Sequence, residues 1–163
     1  MSVYSVVMAN QTIIASSDMV VIHTDSTLAS GGSNIRILRA WCSQNAVEVS
    51  EQLGIQLALQ ASAFGTYTAA TPRPHFVGGR VSGIVGGTSG AEGTAGVDAS
   101  ANAGGTKTEI IYDGFNNLNG WLWVPTPEER IIVPLDTCIV LAMVGTATTL
   151  TGWNAGITYE ELN

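Results

Sequence analysis

The side chains that could do chemistry in this chain are few and scattered. His23 and His75 are the only histidines, and Cys42 and Cys138 the only cysteines. His23 ends an apolar run two residues before Asp25, and His75 lies in the stiff segment Pro72-Arg73-Pro74-His75-Phe76. A zinc site announces itself by three or four closely spaced nitrogen or sulfur ligands, and no such spacing exists here. There is no G-x-S-x-G elbow to mark a nucleophile. The carboxylate pairs Glu128-Glu129 and Glu160-Glu161 are sequence neighbours. Neighbours in a strand or turn point apart, so neither pair forms a glycosidase-like dyad by itself. They read as a solvated turn and a solvated C-terminal end. Asp98, Asp113 and Asp136 stand alone, without a calcium-loop pattern. Gly104-Gly105-Thr106-Lys107-Thr108 interposes a threonine between glycine and lysine, so it is not a phosphate loop. These residues therefore predict no catalysis, no metal and no cofactor.

The elements that must position these groups read as strands. Leu53-Gly54-Ile55-Gln56-Leu57-Ala58-Leu59-Gln60 places a large aliphatic at every odd position, the two-residue period of a strand with one buried face. Ile35, Ile37, Arg39 and Trp41 alternate with Arg36, Leu38, Ala40 and Cys42, a mixed strand with apolar groups on both faces. Trp121-Leu122-Trp123-Val124 is a short strand stopped by Pro125 and Pro127, and Arg130-Ile131-Ile132-Val133 another stopped by Pro134. Pro134-Leu135-Asp136-Thr137 has the composition of a tight turn leading into the apolar run Cys138–Val144. Trp153, Ala155, Ile157 and Tyr159 make a last alternating strand. The best helical stretch, Val47 to Leu53, runs straight into a strand. Many short strands between Pro, Gly and Asn turns predict an all-β sandwich or barrel. Residues 1–30, with three apolar runs, read as an N-terminal strand or arm. Residues 78–106 form a Gly-rich insertion, either a long inter-strand segment or one ordered only in an assembly: ten of the 19 glycines fall between 78 and 105.

Composition narrows the function. The 163 residues fit one domain. Only 12% of them are charged, about half the usual share, and mean hydropathy is +0.26. No run approaches the ~20 apolar residues of a membrane-spanning helix. A chain this apolar is expected to cover part of its surface with other subunits. At a net charge of −7, with one lysine and scattered arginines, it lacks the clustered cations that nucleic acid demands. Neither nucleic acid nor membrane is an expected partner. Cys42 and Cys138 sit in apolar strand-like runs and read as buried free thiols, with a disulfide left as the alternative. The first residues lack a signal peptide's basic and apolar regions, so synthesis in a cytoplasm is expected.

Trp41, Trp121, Trp123, Trp153, Tyr112, Phe115 and Tyr159 lie on or beside strands. They read as core packing, as an oligomer interface, where Trp and Tyr are enriched, or as stacking platforms for sugars. Trp121 and Trp123 share one face, so both meet the core or both meet a partner.

Asn34-Ile35-Arg36-Ile37-Leu38-Arg39-Ala40-Trp41, then Tyr112-Asp113-Gly114-Phe115-Asn116, Gly120-Trp121-Leu122-Trp123-Val124-Pro125-Thr126-Pro127, Ile131-Ile132-Val133-Pro134 and Gly156-Ile157-Thr158-Tyr159-Glu160-Glu161 together resemble small β-sandwich virion proteins of tailed bacteriophages, in particular capsid decoration (cement) proteins. The resemblance spans about half the chain. It implies a jelly-roll-like antiparallel sandwich, often a homotrimer, seated on the outside of the major capsid protein lattice. It carries no catalytic residue. Trp121, Trp123, Trp153, Tyr112 and Arg73 are then the candidate subunit or capsid contacts. The alternative is a receptor- or carbohydrate-binding module of a tail fibre or spike.

Overall fold

The computed structural model describes residues 2–26, 33–45, 49–61 and 65–162. Among these residues the strands are β1 (Ser2–Gln11), β2 (Asp18–His23), β3 (Asn34–Gln44), β4 (Gln52–Gln60), β5 (Thr66–Ala69), β6 (Arg73–Pro74), β7 (Val85–Gly86), β8 (Thr94–Ala101), β9 (Lys107–Asn116), β10 (Trp121–Trp123), β11 (Ile132–Val133), β12 (Cys138–Val144) and β13 (Trp153–Leu162). The one helical element among the described residues is a 3-10 turn at Pro127–Glu129, started by its proline. Among the described residues, no helix is long and apolar enough to cross a membrane.

The strands pair from the chain ends inward: β1 with β13, β2 with β12, β3 with both β10 and β11, β4 with β9, all antiparallel. This is one long hairpin folded over on itself. Rolling it adds β13–β3 and β12–β4 and closes two sheets, ordered β10-β3-β13-β1-β6 and β5-β8-β2-β12-β4-β9. The result is jelly-roll connectivity, the expected all-β sandwich. Residues 61–106 are inserted at the hairpin's tip, between β4 and β9. They add β5, β7 and β8 to the seven-stranded sheet and β6 to the six-stranded one.

The inner faces share one core. Tyr4, Val6 and Met8 of β1, Leu53, Ile55 and Leu57 of β4, and Trp153, Ala155, Ile157 and Tyr159 of β13 all alternate into it. Burying each such side chain contributes about 1.5–3 kcal/mol. Phe115 meets Trp153 edge-on at 6.3 Å, a favourable aromatic geometry.

Several expectations change. Of the two readings of residues 1–30, strand or arm, the described part takes the first, as the strands β1 and β2; positions 27–30 lie outside the described residues. In the helical stretch, Val47 and Glu48 lie outside them too, and Leu53 belongs to β4. β4 does not have one buried face: Gln56, Ala58 and Gln60 are buried as well, because the insertion covers the sheet's far side. The Gly-rich stretch 78–106 is held within the chain itself, since β8 pairs with both β2 and β5. Glu160 and Glu161 are not solvated; they are 2% and 8% exposed inside β13.

Candidate functional site

The two sheets treat their outer faces differently. On the seven-stranded sheet the outer face is a second, small core of Val21, Tyr67, Ala99, Cys138, Val140 and Ala142. At its edge Asp18, fully buried, meets Lys107 Nζ at 2.5 Å. The same carboxylate accepts hydrogen bonds from Tyr67 Oη (3.3 Å) and Ala103 N–H (3.0 Å). A buried charge needs such partners. Burial, then the Asp18 carboxylate, pushes the Cys138 thiol up to about 12, with Lys107 pulling the other way. Burial pushes Cys42 to about 12 as well. Both thiols are free: Cys42 lies in the central core and Cys138 in the outer one. Thiols held protonated in this way are not nucleophiles.

The histidines stay apart. His23 is buried on the seven-stranded sheet, its Nδ1 3.0 Å from the Gly90 carbonyl and its Nε2 without a hydrogen-bond partner. His75 is exposed beside the other sheet, its Nε2 2.8 Å from Ser5 Oγ. Carboxylates do gather at one place the sequence does not reveal. Asp25, Glu92 and Asp136 offer oxygens within 4.8 Å of one another at a loop end of the sandwich, Asp25 buried and the other two exposed. The Pro134–Thr137 turn supplies Asp136, whose φ of 56° puts it in the left-handed region that aspartate tolerates.

The six-stranded sheet differs: its outer face is exposed at Val7, Arg39, Leu122 and Ile132, although Thr158 and Glu160 on it are buried. A bulge at Leu38 decides which residues it shows. Thr158 pairs with Arg39 and Tyr159 with Ile37, so one residue of β3 is left over. The extra residue flips the alternation. Ile35 and Ile37 point inward, then Ala40 and Cys42 do, and Arg39 and Trp41 turn outward. Three rows then cross the face. In one, Leu122, Trp41, Gly156 and Val7 lie side by side. The indole of Trp41 lies over Gly156, where a Cβ would sit 2.7 Å from the ring, so glycine is required there. Next come Arg39, Thr158, Ser5 and Arg73, with Ser5 Oγ 2.9 Å from Thr158 Oγ1. The third holds Ile132, Arg36, Glu160 and Val3, with Arg36 paired to Glu160 at 2.8 Å.

The charge of these rows is opposite to that of the chain. Arg36, Arg39 and Arg73 against Glu160 give 3 − 1 = +2, on a molecule of net −7. Arg39 and Arg73 are exposed and belong to neither ion pair found among the described residues. Beside Arg73 a tight turn stands out, closed by Gly79 N–H donating to the Phe76 carbonyl at 3.0 Å. Gly78 takes the positive φ of 76° that this turn requires. Phe76 and Val77 sit on it at 64% and 109% relative exposure. The turn is anchored from behind. Tyr4 Oη donates to the Arg80 carbonyl (3.0 Å), and Glu161 Oε1 accepts from Ser82 Oγ (2.6 Å) and Gly83 N–H (2.9 Å).

The expected contact residues divide accordingly. Trp153 is fully buried and Trp121 nearly so, which corrects their reading as contacts. Trp121 Nε1 donates to Asp113 Oδ2 (3.1 Å) and Trp153 Nε1 to the Thr149 carbonyl (3.0 Å), so both polar handles are used internally. Trp123 packs partly buried against the same core, so the pair faces inward and Leu122 outward. Tyr112, 64% exposed on the edge strand β9, and Arg73 are at the surface. Trp41, one of the aromatics weighed as interface, lies on this face with Arg39, Val7 and Leu122, which the sequence did not single out; the excess apolar character of β3 was the available signal. Comparisons with family models, with curated proteins and with solved structures each find no match.

Proposed function

We propose that this chain is a structural subunit of a larger protein assembly: a capsid decoration protein of a tailed bacteriophage, made in the host cytoplasm and seated on the outside of the major capsid protein lattice. One observation carries the reading. The outer face of the six-stranded sheet presents the exposed Val7, Leu122 and Ile132 and the half-buried Trp41 together with Arg39 and Arg73, which belong to neither ion pair among the described residues. A sheet face both apolar and charged against the sign of its chain is suited to another protein surface. Binding to the assembled lattice but not to free capsid subunits stabilises the lattice by mass action, about 2.7 kcal/mol per site at a hundred times the Kd. Mass spectrometry of purified particles is expected to find the chain in fixed ratio to the major capsid protein, and its absence ends the reading. A carbohydrate-binding module of a tail fibre or spike is the second reading, favoured by the exposed ring of Tyr112. It requires glycan binding that is lost in Tyr112→Ala.

A further inference from the structure

We propose that Asp18 and Lys107 form a cross-linking site, in which the lysine amine condenses with the aspartate carboxyl to an isopeptide bond inside the folded chain. The inference stands apart from the assembly reading above. Lys107 is the chain's only lysine, and it lies where the inserted segment returns into β9. Its Nζ reaches to 2.5 Å from Oδ1 of Asp18, whose side chain is fully buried at the start of β2. Cγ lies one C–O bond, about 1.2 Å, beyond that oxygen. Nζ therefore stands close to the roughly 3–3.5 Å separation of a reacting pair. The carboxyl is also held in the orientation the step needs. The Asp18 backbone N–H donates to Asn102 Oδ1 (2.8 Å), and Asn102 Nδ2 donates to the Ser16 carbonyl (2.7 Å). Oδ2, the oxygen turned away from the lysine contact, accepts from the Ala103 N–H at 3.0 Å and from Tyr67 Oη at 3.3 Å. Those two donors face the oxygen on which negative charge builds as Nζ adds to Cγ. The step balances without a co-reactant. The Nζ–Cγ bond forms and the Cγ–Oδ1 bond breaks. Two of the three ammonium protons pass across the contact to Oδ1, which departs as water. The third remains as the amide N–H, and both charges disappear. The pair sits at the edge of the small outer core, where an uncharged amide is favoured over two ions taken out of water. The product fastens the end of the 61–106 insertion to β2.

The test is intact-mass spectrometry of the full chain under denaturing conditions, followed by tryptic mapping, on the wild type and on Lys107→Arg. The wild-type mass is expected to fall below the sequence mass by one water. The map should then show residues 1–36 joined to residues 81–130, because trypsin does not cut after an acylated lysine. Lys107→Arg keeps a positive charge beside Asp18, but its guanidinium does not condense. It is expected at its full sequence mass with the wild-type far-UV circular dichroism. A wild type at full mass overturns the proposal and leaves an ordinary buried ion pair. A water lost at another place overturns it too, as at Asp113-Gly114, where an aspartate can close on the following glycine nitrogen; the map separates the two. A Lys107→Arg chain that still lacks the water also overturns it. Where that variant does not fold, the wild-type map decides alone.

Discussion

The outer faces of the two sheets began as the same kind of surface and ended as opposites. Both belong to antiparallel strands whose inner residues fill one core. The seven-stranded sheet is roofed by chain from the 61–106 insertion, so β12 is buried on both sides and reads as an unbroken apolar run. Among the described residues the six-stranded sheet has no such roof, and its strands alternate core residues with the half-buried Ser5 and the exposed Val7 and Arg39. The roof brings polar groups into a place without water and must then pair them, as it does around Asp18. The open face keeps Arg39 and Arg73 outside both ion pairs found among the described residues, and its tryptophan half-buried. The roofed side is therefore bound up with stability, and the open side is free for binding.

Substitutions on the two sides should separate these roles. Asp18→Ala leaves Lys107 without its partner and Tyr67 Oη and the Ala103 amide without their acceptor. A loss of about 3–5 kcal/mol in urea unfolding is expected, the range for breaking a buried pair; a loss under 1 kcal/mol would mean the roof is not coupled to the sheet. Alkaline pH comes next. Cys138 and Tyr67 on the roofed side, and Cys42 and Tyr159 in the core, all have their acidities raised first of all by burial. A raised folded value means the folded chain holds protons that the unfolded chain gives up. The stabilisation is whole below about pH 9 and is lost as pH rises through the folded values, at about 1 kcal/mol per pH unit for each group ionising in the unfolded chain. Denaturant midpoints from pH 8 to 11 would check this, and a flat profile would contradict the burial of these groups. Gly156→Ala should cost about 1–2 kcal/mol and lift the Trp41 indole off the sheet, with tryptophan emission shifting to the red. Smallest of all, Arg39→Glu/Arg73→Glu should change stability by no more than about 0.5 kcal/mol, the range of exposed substitutions. A larger loss would make the open face part of the fold after all.

How far the sequence could be read follows from where the period-2 signal is clean. β4 and β12 stand within one residue of their expected spans, because large aliphatics alternate or run together there; β13 starts at Trp153 as expected but runs on through Glu160 and Glu161 to Leu162. β3 misleads at one position. The Leu38 bulge costs the strand a residue, so Arg39 and Trp41, which align with Ile35 and Ile37 by count, face the other way. The tryptophans fail for a related reason. Hydrophobicity alone cannot tell an inward from an outward indole, so Trp153 and Trp121 looked available and Trp41 looked ordinary. The glycine-rich stretch gave a composition without a pattern. Its strand β8 is built from Thr, Ala, Gly, Val, Asp and Ser, and it exists because β2 and β5 offer it hydrogen bonds on both sides.

By itself, then, the amino-acid order determined that this chain is all-β, where several of its strands lie, that its thiols sit in apolar runs, and that its potential ligands carry no metal-site spacing. Those properties depend on neighbours two residues apart and on composition. Tertiary structure alone decided which sheet face is covered, that Glu160 and Glu161 are buried, that three distant carboxylates converge, and that two arginines and a tryptophan share an open face. Each of these depends on a bulge, a crossover or a long-range pairing, and no local pattern in the chain records where a rolled hairpin will bring its distant parts together.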